Sequence, residues 1–158
     1  MATLSLIIPV YNEESSLVEI VKKTLELEKS DYFKKNKIGL ELILVDDCSE
    51  DNSLEVAKSL ESNNIKVYNH AKNKGKGAAL KTGFLNATGD FIGIQDADME
   101  YNPLDYIKLL EPLIEDKADI CYGSRYLQRD TRRVLSFWHT FMNKGLTALT
   151  NMYTNLDI

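Results

Sequence analysis

Short apolar runs alternate with amphipathic segments along most of this chain of 158 residues. Five of the apolar runs are typical of buried strands, and they cover residues 4–10, 40–45, 65–68, 91–94 and 120–122. Four segments with apolar residues at helical spacing predict helices, over residues 15–28, 53–62, 77–87 and 103–115. Strands that alternate with helices indicate an α/β fold, with a mostly parallel sheet and helices on both of its faces.

Two local features lie between these elements. Residues 31–39 are mostly polar, and we predict a connection without regular structure there. Gly89 follows the third predicted helix by two residues, where a glycine often caps the C-terminal end of a helix. We therefore expect Gly89 to end that helix.

Composition narrows the class of protein. Hydrophobic residues make up 44% and charged residues 27%, and no linker interrupts the pattern, so we expect residues 1–158 to form a single domain. The net charge of −5 argues against a general nucleic-acid binder. Cys48 and Cys121 lack metal-ligand spacing and are predicted to be reduced thiols of a cytosolic protein. Neither a signal peptide nor a membrane span is predicted.

Acidic side chains gather where the fourth predicted strand ends. Asp96, Asp98 and Glu100 follow that strand at alternate positions. Clustered carboxylates repel one another unless a cation lies between them, and Mg²⁺ or Mn²⁺ prefers such oxygen ligands. These cations take further ligands from water and substrate phosphates. The cluster therefore predicts a metal site for a phosphate-bearing substrate, and the alternative is an acidic turn before the helix that starts at Pro103.

Polar or glycine-rich sequence also follows the other predicted strands. The segments are P-V-Y-N-E at 9–13, D-D-C-S at 46–49, H at 70 with N-K-G-K-G at 73–77, and G-S-R at 123–125. Ligands of open α/β sheets bind at the carboxyl ends of the strands. Five such segments, two of them with paired carboxylates, are difficult to explain as solvated turns. They predict a ligand site at this edge of the sheet.

Longer motifs surround these segments. In chain order they read L-S-L-I-I-P-V-Y-N-E-E, L-I-L-V-D-D-C-S-E-D-N-S, N-K-G-K-G-A-A-L-K-T-G, Q-D-A-D-M-E-Y-N-P and Y-G-S-R-Y. Their order and spacing resemble the inverting family 2 glycosyltransferases of GT-A (Rossmann-like) fold, and most of all the dolichyl-phosphate and polyprenyl-phosphate hexosyltransferases. The resemblance covers residues 4–133. It implies metal-dependent transfer of mannose or glucose from GDP-mannose or UDP-glucose to a lipid phosphate, as in cell-envelope polysaccharide synthesis.

The resemblance implies roles for individual residues at the donor site. Those implied in nucleotide binding are Pro9, Tyr11, Glu13, Asp46, Asp47, Lys76 and Asp96. Tyr11 would stack on the base, a contact that contributes about 1–3 kcal/mol in nucleic-acid proteins. Asp98 would be the main ligand of Mg²⁺ or Mn²⁺, with Asp96 and Glu100 as further ligands. Glu100 departs from the family pattern, which often has Gln at this position.

Each of these roles has a structural alternative. Tyr11 could be a half-buried core aromatic residue, and Asp46 or Asp47 could cap the following turn. Glu13 could be an acid favoured at a helix N-terminus. Lys76 could be a solvated lysine. The histidine at position 70 is more readily explained as structural than as catalytic.

A basic segment follows the fifth predicted strand. The residues implied in binding the acceptor phosphate are Arg125, Arg129, Arg132 and Arg133. Arg125, with Asp98, would also stabilise the leaving diphosphate. Apolar and aromatic residues recur at helical spacing over 135–149, typical of a helix in a membrane interface. A helix packed on the core or on a second subunit is the alternative. We expect a peripheral protein at the cytoplasmic, inner face of a membrane.

Other functions fit the sequence less well. A P-loop NTPase is excluded because G-x-x-x-x-G-K-[ST] does not occur, and the Gly75-Lys76-Gly77 segment lacks the third glycine of a dinucleotide-binding fingerprint. A nucleotidyltransferase would carry a glycine-rich loop after its first strand. A family member that acts on a saccharide hydroxyl, or a non-catalytic nucleotide-sugar-binding domain, remains open. The resemblance would continue beyond Ile158, so we expect a catalytic domain truncated at its C-terminus.

Overall fold

A computed structural model describes residues 2–123 and 145–152. The chain divides into two compact units, Met1–Cys121 and Tyr122–Ile158. The first contains four strands, β1 Thr3–Val10, β2 Gly39–Asp46, β3 Ile65–Asn69 and β4 Phe91–Ile94. Its helices are α1 Leu17–Lys29, α2 Asp31–Asn36, α3 Ser53–Ser59, α4 Lys76–Asn86 and α5 Tyr106–Ile114, and a 3₁₀ turn, Pro103–Asp105, precedes α5. In the second unit, residues 145–152 are helical.

The four strands form one parallel sheet in the order β3-β2-β1-β4. Val10 at the end of β1 lies opposite Asp46 at the end of β2, and Asp46 lies opposite Asn69 of β3. The carboxyl ends of these strands therefore meet at one edge of the sheet. The predicted α/β fold with a parallel sheet is confirmed.

Helices cover both faces of this sheet because its central strands are apolar on both sides. Alternate residues of β1, such as Leu6 and Ile8, pack in the larger core cluster on the α1, α3 and α5 side. Ile7 points to the other face, where it packs with Ile43 and Ala79 of α4. No helix in the described residues is long and apolar enough to span a membrane.

A glycine brings α4 unusually close to the sheet. A Cβ added to Gly83 would lie 2.3 Å from Cγ2 of Ile7, well inside contact distance. Glycine at this position thus lets the helix backbone rest on β1. The same approach places Lys76, the first residue of α4, at the carboxyl edge of the strands.

Two local predictions are wrong. Residues 31–36 form α2, because Phe33 is buried in the core and its N–H donates to Oγ of Ser30 at the helix N-cap. Gly89 does not cap α4, which ends at Asn86 with Ala87 in an extended conformation. Its N–H donates instead to Oγ of Ser5 (2.8 Å), and a Cβ there would lie 2.6 Å from that oxygen.

The fifth predicted strand is also not observed. Residues 120–122 have no strand structure, and Ile120 and Tyr122 are 60% and 65% exposed. A strand needs a neighbour for its backbone hydrogen bonds, and within the described residues β4 pairs with β1 alone. An apolar run of three residues was too weak a signal without such a partner.

Candidate functional site

A cleft of about 410 Å³ opens at the carboxyl edge of the sheet. Its walls are the ends of β1, β2 and β4 and the loop that precedes α4. The predicted site residues that line it are Pro9, Tyr11, Glu13, Asp47, Lys76, Asp96 and Asp98. Asp46 and Glu100 do not line the cleft. The arginines at 125, 129, 132 and 133 lie outside the described residues.

Tyr11 stands at the rim of the cleft, where 45% of its surface is exposed. It belongs to neither of the two core clusters, so the structure does not place it in the core. Asn12 follows with a φ of 56°, and its N–H donates to Oγ of Ser49 while its side-chain oxygen accepts from the N–H of Glu50. These contacts hold the loop after β1 against the loop after β2. The ring of Tyr11 is presented on a fixed segment and is available for stacking.

Glu13 lines the cleft beside the start of α1. Its N–H donates to Oγ of Ser53 (2.7 Å), and its carboxylate accepts from Oγ of Ser16 (2.5 Å), immediately before α1 begins at Leu17. The carboxylate thus contacts the hydroxyl of Ser16, which is the N-cap residue of α1. Glu13 still forms part of the cleft wall.

Asp46 caps a turn. Asp46 is 1% exposed, and its carboxylate accepts hydrogen bonds from the N–H and the Oγ of Ser49, at 3.1 and 2.5 Å. Both bonds stay within the turn that follows β2. Of the two adjacent aspartates, Asp46 is the one with the capping role.

Asp47 organises the loop before α4. Its carboxylate accepts from the N–H groups of Lys74 (3.0 Å) and Gly75 (2.6 Å) and lies 2.6 Å from Nδ1 of His70. Burial alone would raise the pKa of Asp47, but the bonds from His70 and the loop N–H groups lower it below its ordinary value. Nε2 of His70 continues the network to Oγ1 of Thr82 on α4, 2.9 Å away. His70 therefore has the structural position that was expected.

Lys76 is brought to the acidic cluster by a glycine. Gly75 has a φ of 85°, which favours glycine, and this turn leads directly into α4. Nζ of Lys76 lies 2.6 Å from Oδ1 of Asp96, a residue 20 positions later. Lys76 is thus paired at the cleft instead of simply solvated. The sequence did not predict this ion pair, because the two residues lie on different elements and their separation along the chain follows no periodic pattern.

The two aspartates after β4 face the same cleft, and both are half-buried. Oδ1 of Asp98 accepts a hydrogen bond from the N–H of Glu100 (3.1 Å), which forms a local turn. The Glu100 side chain is exposed and lies outside the cleft. Within the described residues, no three His, Cys, Asp or Glu side chains are grouped to hold a metal. Two carboxylates still suit Mg²⁺ or Mn²⁺, which commonly take their other ligands from phosphates and water.

Tyr106 supports this segment from α5. Its hydroxyl donates to the carbonyl oxygen of Ile94 (2.5 Å), and its ring lies against Gly93, where an added Cβ would be 2.6 Å from Cε1. Burial, and then the negative charge of Asp96, raise the pKa of Tyr106. The hydroxyl therefore stays protonated and holds the end of β4. The sequence pattern did not identify this contact.

The predicted interface helix is described only at its end. Residues 145–152 are helical, and Leu146 and Leu149 are 59% and 55% exposed. The aromatic part of the predicted apolar stripe lies outside the described residues. The membrane role of this segment therefore stays a prediction.

Comparison with known proteins identifies the family. The sequence model of Glycosyl transferase family 2 matches residues 5–155. The chain belongs to this family, as its motifs indicated. The match includes every segment that lines the cleft.

Curated relatives narrow the likeness to lipid-phosphate transferases. The chain is 33% identical over 142 residues to the dolichol-phosphate mannosyltransferase of Pyrococcus furiosus, covering 89% of this chain and 38% of that protein. It is 34% identical over 149 residues to a dolichyl-phosphate beta-glucosyltransferase of Trichomonas vaginalis, covering 90% and 44%. The chain thus spans less than half the length of these relatives.

Solved structures confirm the GT-A fold. TarS of S. aureus superposes with a TM-score of 0.58 at 22% identity, over 80% of this chain and 40% of that one. The mannosyltransferase PcManGT of Pyrobaculum calidifontis, solved in complex with GDP-Man and Mn²⁺, gives a TM-score of 0.50 at 28% identity, over 60% and 27%.

Proposed function

We propose that this chain carries the donor site of a hexosyltransferase that moves a hexose, with inversion, from a nucleotide-diphosphate sugar to a polyprenyl or dolichyl phosphate. The observation that carries the proposal is the convergence of Tyr11, Lys76, Asp96 and Asp98 on one cleft at the carboxyl edge of the sheet. An exposed aromatic ring, a cation and two carboxylates suit a base, a diphosphate and a divalent metal. The names of the relatives support the lipid-phosphate acceptor.

The donor would lie with its nucleoside toward β1 and its diphosphate toward β4. Tyr11 stacks on the base, while Pro9 and Glu13 close the nucleoside side of the cleft. Asp47 acts on the nucleotide through the loop that it holds, since its oxygens already accept from protein donors. Asp46 supports that wall through its turn, and does not itself reach the cleft.

Asp98 and Asp96 are the proposed metal ligands, with Mg²⁺ or Mn²⁺ as the ion. The neighbouring mannosyltransferase solved with Mn²⁺ supports this choice of metal. When bound, the ion would supply electrostatic stabilisation of the leaving diphosphate. A contribution from Glu100 stays a prediction from the sequence.

The acceptor half of the proposal rests on the arginines at 125, 129, 132 and 133. They would bind the lipid phosphate and bring it to an otherwise acidic site. A phosphate monoester has a second pKa near ~6 and is largely dianionic at neutral pH, so it needs no general base to become a nucleophile. We place the reaction at the inner face of a membrane, where such a lipid is available.

Calorimetric titration tests the donor site directly. UDP, GDP, UDP-glucose and GDP-mannose are each titrated with and without Mn²⁺ into the chain and into two variants. We expect metal-dependent binding of one base only, weakened at least about tenfold by Asp98→Asn. Asp119→Asn, at an exposed aspartate outside the cleft, is the matched control and should change nothing.

The outcomes separate the candidate functions. A folded protein that binds none of the four compounds refutes the donor site. An unchanged affinity in Asp98→Asn removes that carboxylate from the site. Transfer assays with a short polyprenyl phosphate and with saccharide acceptors then identify the acceptor class, and tight binding of a nucleotide sugar without transfer to either acceptor would favour a binding module.

A further inference from the structure

We propose that Lys76 competes with the divalent cation for Asp96, and that the donor diphosphate relieves this competition. The inference rests on the proposed function, because it assigns a regulatory part in the same cleft. Nζ of Lys76 lies 2.6 Å from Oδ1 of Asp96, and both side chains line the cleft. The ammonium thus occupies a carboxylate that the metal would also use.

The Lys76 ammonium and a divalent cation repel each other when both bind the Asp96 carboxylate. Mg²⁺ binds carboxylate oxygens at about 2.0–2.1 Å, so an ion on Asp96 would approach the Lys76 ammonium to roughly 4 Å. Repulsion over such a distance is large in a protein cleft, although solvent reduces it. The Asp96 side chain is 25% exposed, so screening is incomplete. Metal binding therefore favours conformations in which Lys76 has left Asp96.

Lys76 can leave without disturbing the fold. Its side chain is 59% exposed. Its backbone is held independently, because Gly75 N–H donates to Asp47 and Ala79 N–H donates to the Gly75 carbonyl oxygen. Rotation of the side chain thus changes the partner of the ammonium and leaves the start of α4 in place.

A diphosphate provides the alternative partner. Its oxygens carry more negative charge than one carboxylate and accept strong, charge-assisted hydrogen bonds from an ammonium. A nucleoside diphosphate in the cleft would therefore draw Lys76 from Asp96 and free that carboxylate for the metal. By linkage, the nucleotide then strengthens metal binding by the same factor by which the metal strengthens nucleotide binding. In the absence of nucleotide, Lys76 therefore weakens the binding of a metal to this site.

Mn²⁺ binding without nucleotide tests the competition. Free Mn²⁺ is followed by electron paramagnetic resonance during titration of the chain, of Lys76→Met and of Lys74→Met. We expect Lys76→Met to bind Mn²⁺ about three- to fivefold more tightly, the range that loss of a partly exposed ion pair allows. Lys74 is an exposed lysine of the same loop that does not line the cleft, and its substitution should leave the affinity unchanged.

A second pair of variants shows whether the effect passes through Asp96. In an Asp96→Asn background, Lys76→Met should no longer tighten Mn²⁺ binding, since there is no carboxylate to compete for. With Asp96 intact, the nucleotide that the chain binds should raise the Mn²⁺ affinity of Lys76→Met by a smaller factor than it raises that of the unmodified chain. Lys76→Arg, which keeps the cation, should behave like the unmodified chain.

Two results would overturn the proposal while the proposed function stands. One is an unchanged or weaker Mn²⁺ affinity in Lys76→Met, with metal-dependent nucleotide binding intact in the unmodified chain. The other is an equal gain in Lys74→Met, which would reflect removal of any positive charge. Absence of metal-dependent nucleotide binding in the unmodified chain would instead refute the proposed function, and this inference with it.

Discussion

The buried carboxylate of Glu41 accepts hydrogen bonds from residues on three other parts of the first unit. Glu41 lies in β2 with a side chain 9% exposed. Its donors are Oγ of Ser5 (2.5 Å), Nζ of Lys66 (2.6 Å), and the N–H and Oγ1 of Thr88 (2.9 and 3.0 Å). Burial alone would raise the pKa of Glu41, but these contacts outweigh it and lower the pKa from 4.5 to about 2.

This pKa predicts how stability depends on pH. The folded state holds Glu41 ionised while the unfolded chain takes up a proton near pH 4.5, so the contribution is full above that pH. It is lost as the pH falls toward about 2. A change of roughly 2.5 pKa units at 1.36 kcal/mol each amounts to about 3 kcal/mol. Single domains are stabilised by about 5–15 kcal/mol, so this contribution is a large part of the total.

Urea unfolding from about pH 7 to about pH 3 measures this contribution. We expect Glu41→Gln to lower the free energy of unfolding by about 3 kcal/mol near neutral pH, since a neutral amide cannot pair with Lys66. The difference should shrink as the pH falls below about 4.5. Glu28→Gln, at an exposed glutamate of α1, is the control and should show no such trend. A difference between Glu41→Gln and the unmodified chain that stays constant with pH would refute the reasoning.

Substitutions at three further positions test the packing and the cleft. Gly83→Ala should lower the free energy of unfolding by about 1–3 kcal/mol in urea, because its Cβ would overlap Ile7. Asp47→Ala should weaken nucleotide binding in calorimetry while circular dichroism shows the helices retained, because the loop before α4 loses its bonds from Lys74 and Gly75 to the Asp47 carboxylate. Tyr11→Ala should reduce nucleotide affinity by about 1–3 kcal/mol and Tyr11→Phe should not, since stacking needs only the ring. An unaltered affinity in Tyr11→Ala would exclude stacking.

The order of elements could be predicted because it depends on local periodicity. The apolar run of residues 40–45, interrupted only by Glu41, predicted a strand covered on both faces, and all six of these residues are buried. Helix α2 could not be predicted in the same way, since its six residues bury a single side chain, Phe33. The role of Gly89 was predicted wrongly because glycine is needed there for a close approach to Ser5, which is 84 residues away in the sequence. Such contacts leave no periodic signal.

The candidate site, too, could be predicted from the sequence only in part. That polar segments meet at one edge followed from the parallel sheet, and the structure places them around one cleft. Which of two adjacent aspartates faces that cleft did not follow, because Asp46 and Asp47 differ only in their partners. The partner of Asp46 is Ser49, three residues away, whereas Asp47 binds Lys74 and Gly75, 27 and 28 residues away. Tertiary structure alone decides between them.

The hydrogen bonds of Asp47, Asp96 and Asp98 distinguish the two proposed cation ligands from the aspartate that holds the loop before α4. A cation on Asp47 would displace buried His70 and the N–H groups of Lys74 and Gly75, which are the contacts that hold the loop before α4. A cation on Asp96 displaces an ammonium that is 59% exposed and can be solvated elsewhere. Among the residues that the structure describes, Asp98 accepts a local N–H from the following turn at one oxygen. An aspartate after β2 therefore holds a loop, whereas the two aspartates after β4 are the proposed ligands, and the difference lies in how readily their partners can be replaced.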